Sequence, residues 1–325
     1  MNPKDVRIVF MGTPDFAVES LKALVENGYN IVGVITAPDK PAGRGQQLNE
    51  SAVKQYAAKQ GLRILQPEKL KNPEFIAELE SLRADLQVVV AFRMLPEMVW
   101  AMPSMGTFNL HGSLLPQYRG AAPLNWAVIN GETETGVTTF LLSHEIDTGK
   151  IMFQEKTPIA ENDTVGDVHD RLMVIGANLV VKTVDSLANG EVEAIDQEKL
   201  INEGLQVKHA PKIFKDDCRI DWTRDTESVR NLIRGLSPYP AAWTELIHPE
   251  KKEVLTAKIY AAIRDNSSLP AAPGILQTDG KKYLRIACPD GWLSITEIQL
   301  SGKKRMKTEE LLRGFHDLGS WQIKM

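Results

Sequence analysis

The sequence predicts an α/β protein in two parts: a mostly parallel sheet with helices on both faces, then a small β-barrel. Three observations carry this. Over the first 190 residues strand-like and helix-like segments alternate, the order that parallel strands joined by crossover helices require. Several of the strands are continuous apolar runs, such as Ile31-Val32-Gly33-Val34-Ile35 and Val88-Val89-Val90-Ala91-Phe92, the pattern of strands buried on both faces. Near the C-terminus about five short strand-like runs, bounded by turn residues, fall within roughly 90 residues.

Residues 6–11 read as the first strand and lead into the turn Gly12-Thr13-Pro14-Asp15. Over 16–27 the apolar Phe16, Ala17, Leu21, Leu24 and Val25 recur at helical spacing, and Gly28 closes the helix. A strand at 31–35 is followed by a loop rich in Pro and Gly, Pro38-Asp39-Lys40-Pro41-Ala42-Gly43-Arg44-Gly45. Helices are expected at 51–60, ended by Gly61, and at 73–82, before a fully buried strand at 86–91. A short strand at 108–111 runs out into a loop, and a helix is expected at 121–130. Segments 137–142 and 151–157 read as a hairpin-like strand pair, and 165–189 as a long helix stopped by Gly190. The polar stretch 191–208 reads as a linker. Beyond it come a helix at 226–235 and strands at 242–247, 254–261, 274–278, 283–287 and 293–299, which suggest an OB-like barrel. The expected division is therefore 1–190, a linker at 191–208, and 209–325.

With 325 residues the chain is long enough for two domains of ~100–200 residues. At 43% hydrophobic and 25% charged it is neither collagen-like nor disordered. Its two cysteines, Cys218 and Cys288, form no C-x-x-C pair, which argues against zinc, redox and disulfide scaffolds and for a reducing compartment. No apolar run approaches the ~18–20 residues of a membrane span, and the strand at 6–11 starts too early for a signal or transit peptide. A cytoplasmic protein with no metal and no membrane partner is expected. The net charge of −4 is unevenly spread. Residues 1–208 carry 19 Lys and Arg against 27 Asp and Glu, a balance of −8, and residues 209–325 carry 19 against 15, a balance of +4. A mildly basic second part suits an anionic partner such as nucleic acid, and equally two ordinary domains of uneven surface charge.

A strand, a Gly turn and a helix at the start invite a dinucleotide-binding reading. The turn Gly12-Thr13-Pro14-Asp15-Phe16-Ala17 lacks the second and third Gly of G-x-G-x-x-G, and Phe16 stands where backbone must approach a pyrophosphate. No G-x-x-x-x-G-K-[ST] occurs either. Chemistry is better sought at Asn109-Leu110-His111. The i, i+2 spacing on a strand sends both polar side chains to one face and Leu110 to the other. An Asn amide can donate to a developing oxyanion, and His moves protons near neutral pH. An isolated N-x-H is also what a locally satisfied strand end looks like. Further along, Asp147-Thr148-Gly149 adds a carboxylate beside a Gly turn; alone it reads as an Asx-type turn.

The segments Phe10-Met11-Gly12-Thr13-Pro14-Asp15-Phe16, Pro41-Ala42-Gly43-Arg44-Gly45, Asn109-Leu110-His111-Gly112-Ser113-Leu114-Leu115-Pro116 and Asp147-Thr148-Gly149 belong together, with Ile220-Asp221-Trp222 and Pro238-Tyr239-Pro240-Ala241-Ala242-Trp243 later in the chain. Over nearly its whole length the sequence resembles the methionyl-tRNA formyltransferase family of 10-formyltetrahydrofolate-dependent enzymes. The resemblance implies a Rossmann-like catalytic domain followed by an OB-like tRNA-binding domain. It implies transfer of the formyl group of 10-formyltetrahydrofolate to the amino group of initiator methionyl-tRNA, leaving tetrahydrofolate and giving the formylated tRNA used in translation initiation. Asn109, His111 and Asp147 are then the catalytic residues, and Ser113, Leu114, Leu115 and Pro116 shape the folate site. Arg44 is a cationic finger that orders against the tRNA acceptor arm, and a monomer is expected. One departure stands out: before the apolar pair and Pro of Met94-Leu95-Pro96 the chain has Ala91-Phe92-Arg93 where many relatives have Ala-Tyr-Gly, in a segment that lies near the pterin in the family.

Formyl transfer to an amine passes through a tetrahedral intermediate. It needs a donor for the oxyanion, which suits Asn109 with protonated His111, and proton movement, which suits His111 and Asp147. Two other readings remain. One is a formyltransferase for a small amine, either a purine-pathway ribonucleotide or a nucleotide-linked amino sugar. The other is a non-catalytic OB-type nucleic-acid binder, against which the intact Asn109, His111 and Asp147 count.

Overall fold

The computed structural model describes residues 2–42, 47–202, 204, 206–265 and 271–325. In chain order the first elements are β1 Ile8–Gly12, α1 Asp15–Glu26, β2 Ile31–Ile35, β3 Lys40–Ala42, β4 Gln47–Asn49, α2 Ala52–Lys59, β5 Ile64–Leu65 and α3 Pro73–Ser81. Next come β6 Leu86–Val90, α4 Glu97–Trp100, β7 Thr107–His111, β8 Arg119–Gly120, α5 Pro123–Ile129, β9 Glu134–Leu141, β10 Ile151–Pro158, α6 Val165–Asn189 and α7 Gln197–Asn202. The remainder are β11 His209–Ala210, α8 Thr226–Gly235, β12 Ala242–Ile247, β13 Val254–Asp265, β14 Leu276–Thr278, β15 Leu284–Cys288, β16 Gly291–Leu300, β17 Met306–Lys307, α9 Thr308–Gly314 and β18 Gln322–Ile323. Two compact units emerge. One comprises Met1–Gly120, Glu134–Thr157 and His169–His209; the other comprises Ala121–Thr133, Pro158–Val168 and Ala210–Met325.

In the first unit the main sheet has the order β10-β9-β7-β6-β1-β2-β5. Its five strands from β7 to β5 run parallel, and β9 lies antiparallel on β7. The mostly parallel, Rossmann-like sheet expected from the alternating pattern is present. Helix starts follow local chemistry: the Ser51 hydroxyl accepts from the Lys54 amide at 3.0 Å, and Asn72 Oδ1 accepts from the Glu74 amide at 3.0 Å, with Pro73 pre-set for the first turn. Both faces of the sheet are buried. Val9, Met11, Ile35 and Val89 form one face with Phe75 and Leu79 of α3 and Val99 of α4. On the opposite face Leu110 packs so closely on Gly176 of α6 that a Cβ there would meet Leu110 Cδ2 at 2.7 Å. α6 is long and apolar enough to cross a membrane by length and composition. It also carries polar ties to the body, Thr183 to Thr139 at 2.9 Å and Asp185 to Tyr29 at 2.5 Å.

Two parts of the first unit differ from the sequence reading. The Pro- and Gly-rich loop includes an antiparallel ribbon of β3 and β4; Pro41 is tolerated because an isolated two-stranded ribbon leaves half its amides unpaired. The polar stretch 191–208 carries α7, and Ile195 exchanges backbone hydrogen bonds of 2.8 and 2.7 Å with Ile151. β5 and α4, two and four residues long, are too short to show a period in sequence.

In the second unit an antiparallel sheet has the order β14-β15-β16-β13-β12-β18, with β17 added on β16. All five expected strands are there, and two short ones join them. β13 is twelve residues long and its register with β16 shifts between Ile259 and Ala262, a bulge that bends the strand so the sheet curls into a nearly closed barrel. Trp222 fills the core, and its Nε1 donates to Thr244 Oγ1 at 3.1 Å. α8 starts at Asp225, whose side chain accepts from the Ser228 amide at 2.8 Å, and packs on α5 of the same unit.

Candidate active site

β7 ends beside the carboxyl ends of β6 and β1, the edge where open parallel sheets place ligands. Asn109 is in register with Val89, so Asn109 and His111 share the face opposite Leu110. Asn109 Oδ1 is buried, with no hydrogen-bond partner among the described residues. A buried, unpaired amide oxygen costs about 1–3 kcal/mol. His111 is 6% exposed and its ring meets Phe140 edge-on at 6.4 Å. Its Nε2 lies 2.9 Å from the Tyr118 carbonyl. A carbonyl only accepts, so Nε2 carries the hydrogen and donates. Nδ1 is left facing Asp147 Oδ2 at 3.9 Å. That is an ion-pair separation, longer than a hydrogen bond, as is common before substrate arrives.

β9 ends at Leu141, opposite Phe108, and the loop after it folds back to bring Asp147 to His111. Asp147 sits in the left-handed region, φ 56°, which costs a non-glycine residue roughly 1–2 kcal/mol. Its Oδ2 accepts from the Gly120 amide at 2.9 Å. Gly149 explains the glycine of the Asp-Thr-Gly turn: a Cβ there would lie 1.6 Å from the Leu141 carbonyl oxygen, so no other residue fits. The structure thus brings together Asn109, His111 and Asp147 from sites 2 and 36 residues apart.

The Ser113–Pro116 segment is a built loop. Ser113 is fully buried and its hydroxyl donates to Gln117 O at 2.6 Å. Thr138 Oγ1 donates to Ser113 O at 2.6 Å and accepts from the Leu115 amide at 3.1 Å and from Gln154 Nε2 at 2.9 Å. The Leu115 side chain packs with Phe140 and Ile151, and Leu114 lies against Gly136. The side chains of Ser113 and Leu115 are therefore turned into the body. Arg93 reaches back to Glu68 O at 2.8 Å and to Pro67 O. With Leu70, Lys71, Met94, Leu95, Pro96 and Met98 it lines an open hollow of ≈ 740 Å³ after β6. Arg44 lies outside the described residues. In the second unit, Arg305 of the basic run 303–307 pairs with Glu297 and lies over the Tyr260 ring at 4.4 Å, and Lys304 meets Glu310 at 3.6 Å.

Sequence reasoning missed the groups that hold these loops. Gln197 is fully buried, and its Nε2 donates to Asp147 O at 2.9 Å and to Gly149 O at 2.7 Å. Its Oε1 accepts from Arg119 Nη2 at 2.6 Å and Nε at 3.1 Å. Burial pulls the Arg119 guanidinium below its ordinary value, opposed by the carboxylates of Asp147, Glu145 and Glu198. Gln117 accepts from the Lys208 amide at 2.8 Å and donates to Gln206 O at 2.9 Å. Thr138 had a signal, a hydroxyl inside an apolar strand; Gln197 had none, being one polar residue among many. Among the described residues no cluster of three or more His, Cys, Asp or Glu could hold a metal ion.

A buried amide, an imidazole and a carboxylate thus lie at the carboxyl edge of a Rossmann-like sheet, where open α/β folds place their ligands. The family profile described as Formyl transferase matches residues 6–184, and that described as Formyl transferase, C-terminal domain, matches residues 212–316. The chain belongs to the formyl transferase family. It is 58% identical over 324 residues to the methionyl-tRNA formyltransferase of Bacteroides fragilis, covering 100% of this chain and 99% of that one. To the methionyl-tRNA formyltransferase of Bacteroides thetaiotaomicron it is 59% identical over 315 residues, 97% of each chain. Among solved structures it is similar to WlaRD, a sugar 3N-formyl transferase, with a TM-score of 0.64 and 22% identity over 92% of this chain and 99% of that one. HypX from Aquifex aeolicus matches with a TM-score of 0.64 and 18% identity over 95% of this chain and 47% of that one. At those identities the structural likeness speaks for the fold alone.

Proposed function

We propose that this chain transfers the formyl group of 10-formyltetrahydrofolate to the amino group of initiator methionyl-tRNA. The observation that carries the reading is the placement of Asn109, His111 and Asp147 together at one strand end, in a chain 58% identical end to end to a methionyl-tRNA formyltransferase. The Asn109 amide meets the oxyanion formed when the amine attacks the formyl carbon. His111, its Nε2 already committed to Tyr118 O, exchanges protons at Nδ1, where Asp147 faces it. The loop at Ser113, Leu114, Leu115 and Pro116 shapes the folate side of the site, with the hollow beside Arg93 open to the same sheet edge. Residues 209–325 form the tRNA-binding domain and Arg44 a cationic finger on the acceptor arm. A basic and aromatic surface in the second unit supports this: Lys212 lies over the exposed Phe214, and Lys215 and Arg219 flank Trp243. Such a surface suits phosphates and stacked bases.

The test is purified protein with 10-formyltetrahydrofolate and, separately, methionyl-tRNA, a nucleotide-linked amino sugar and a purine-pathway amine. Formylation of methionyl-tRNA alone is expected. Formylation of either small amine in its place would overturn the tRNA reading and keep the chemistry.

A further inference from the structure

We propose that Gln197 is a positioning residue for formyl transfer, acting by locking the Asp147 loop. This rests on the function proposed above. The geometry leaves the Gln197 amide no freedom: two N–H groups donate to two carbonyls and the oxygen accepts twice from one guanidinium, so all four of its hydrogen-bonding positions are filled. Both carbonyls belong to the turn that carries the catalytic carboxylate, Asp147 itself and Gly149. Asp147 is held in the left-handed region, a conformation that persists only when its surroundings enforce it. Gln197 grips its backbone, and the Gly120 amide grips its side chain at 2.9 Å. Arg119, next to Gly120, links the two grips, since its guanidinium holds Gln197 Oε1. The loop after β7 and the loop after β9 are thereby joined through one buried side chain, contributed from the polar stretch after α6. Loss of that side chain frees the Asp147 carboxylate to swing away from His111.

Two variants separate the halves of the clamp. Gln197→Ala removes both; Gln197→Glu keeps an acceptor for Arg119 and loses the two donors to the turn. Each should lower kcat for methionyl-tRNA by roughly 10- to 100-fold, the loss expected when a catalytic group drifts by about 1 Å. KM for both substrates should stay within about two-fold, since every hydrogen-bonding position of the Gln197 amide is taken by the protein's own groups. In an Asp147→Asn background, where the charged group is already gone, adding Gln197→Glu should cost less than about two-fold more, because residues acting as one unit are not additive. A purely structural role would instead lower Tm and multiply through in the double variant. A second readout needs no turnover: hydrogen exchange of the Gly120 amide, which Asp147 Oδ2 protects, should quicken in Gln197→Glu by at least about ten-fold. Unchanged Gly120 exchange, or a wild-type enzyme that formylates while Gln197→Glu keeps more than half its kcat, would overturn the positioning role. A wild-type chain that formylates nothing would sink the proposed function, and the exchange measurement would still decide the clamp.

Discussion

His111 has its proton inventory set by backbone before any substrate arrives. Its Nε2 donates to Tyr118 O, so Nδ1 is the nitrogen left for chemistry, and Asp147 faces that nitrogen. Asn109 contributes a different quality, a buried oxygen without a hydrogen-bond partner among the described residues. From these positions, His111→Ala, Asn109→Ala and Asp147→Ala should each lower turnover by at least ~100-fold, the low end for losing a general base or oxyanion donor. Thermal stability and tRNA affinity should be nearly unchanged. Single-turnover rates beside melting curves check this, and a His111→Ala protein with more than half the wild-type rate would remove His111 from the mechanism. At this scale the sequence was informative: the N-x-H spacing placed both side chains on one face, and β7 keeps them there. It gave no sign of Gln197, because a buried amide that saturates two carbonyls and a guanidinium looks, in sequence, like any polar residue of a linker.

Two short elements carry predictions of their own. In sequence, β3 and β4 stand on either side of residues 43–46, which include Arg44, a cation flanked by two glycines. If Arg44 grips tRNA phosphate, Arg44→Ala should lower kcat/KM for methionyl-tRNA by about 1.5–3 kcal/mol, the range for a charge-assisted hydrogen bond. Arg44→Lys should recover little where the planar fork makes paired contacts. Folate titration should be unaffected, and a normal kcat/KM for Arg44→Ala would shift the acceptor towards a small amine. The turn between β14 and β15 is held by Asp279, whose carboxylate accepts from the backbone amides of Lys282 at 2.7 Å, Lys281 at 2.9 Å and Tyr283 at 3.1 Å. Those amides, Lys282 and Lys281 foremost, pull its pKa down to about 2. A carboxylate depressed in the folded state stabilises above its unfolded value and loses that contribution as pH falls through the folded one. Melting curves of Asp279→Asn should therefore fall below wild type at neutral pH, and the gap should close as pH approaches about 2. A gap that widened on acidification would contradict the assignment.

For the whole molecule the main consequence is that the second unit is discontinuous in sequence. α5 belongs to it: Asn125 Nδ2 donates to Gly235 O at 2.8 Å and Trp126 Nε1 to Pro211 O at 2.8 Å. The segment 158–168 belongs to it as well, held by Arg230 through Glu161 O at 2.7 Å and Asn162 Oδ1 at 2.8 Å. A chain ended at residue 208 strips both segments of these partners, so it should melt lower than the full chain and expose apolar surface to a hydrophobic dye. A truncated chain as stable as the whole would show those contacts to be dispensable. In the full chain, tRNA affinity should fall steeply with salt as Lys and Arg displace counterions from phosphates. Salt-insensitive binding would remove the case for a phosphate-reading second domain.

The sequence by itself determined the parallel sheet, the order of its main strands and helices along the chain and the barrel strands, and it singled out the three polar residues proposed for the site. Each rests on local signals: apolar runs for strands buried on both faces, caps and glycines for helix ends, and alternation for the face of a side chain. The tertiary structure alone decided what depends on groups distant in sequence. Asp147 reaches His111 because Gly149 passes against the Leu141 carbonyl and Gln197, 50 residues on, holds the turn. α5 joins the second unit through partners more than 80 residues away. Periodicity records which face of an element is apolar; which distant element covers it, and which buried donor meets which carbonyl, is fixed only when the chain closes on itself.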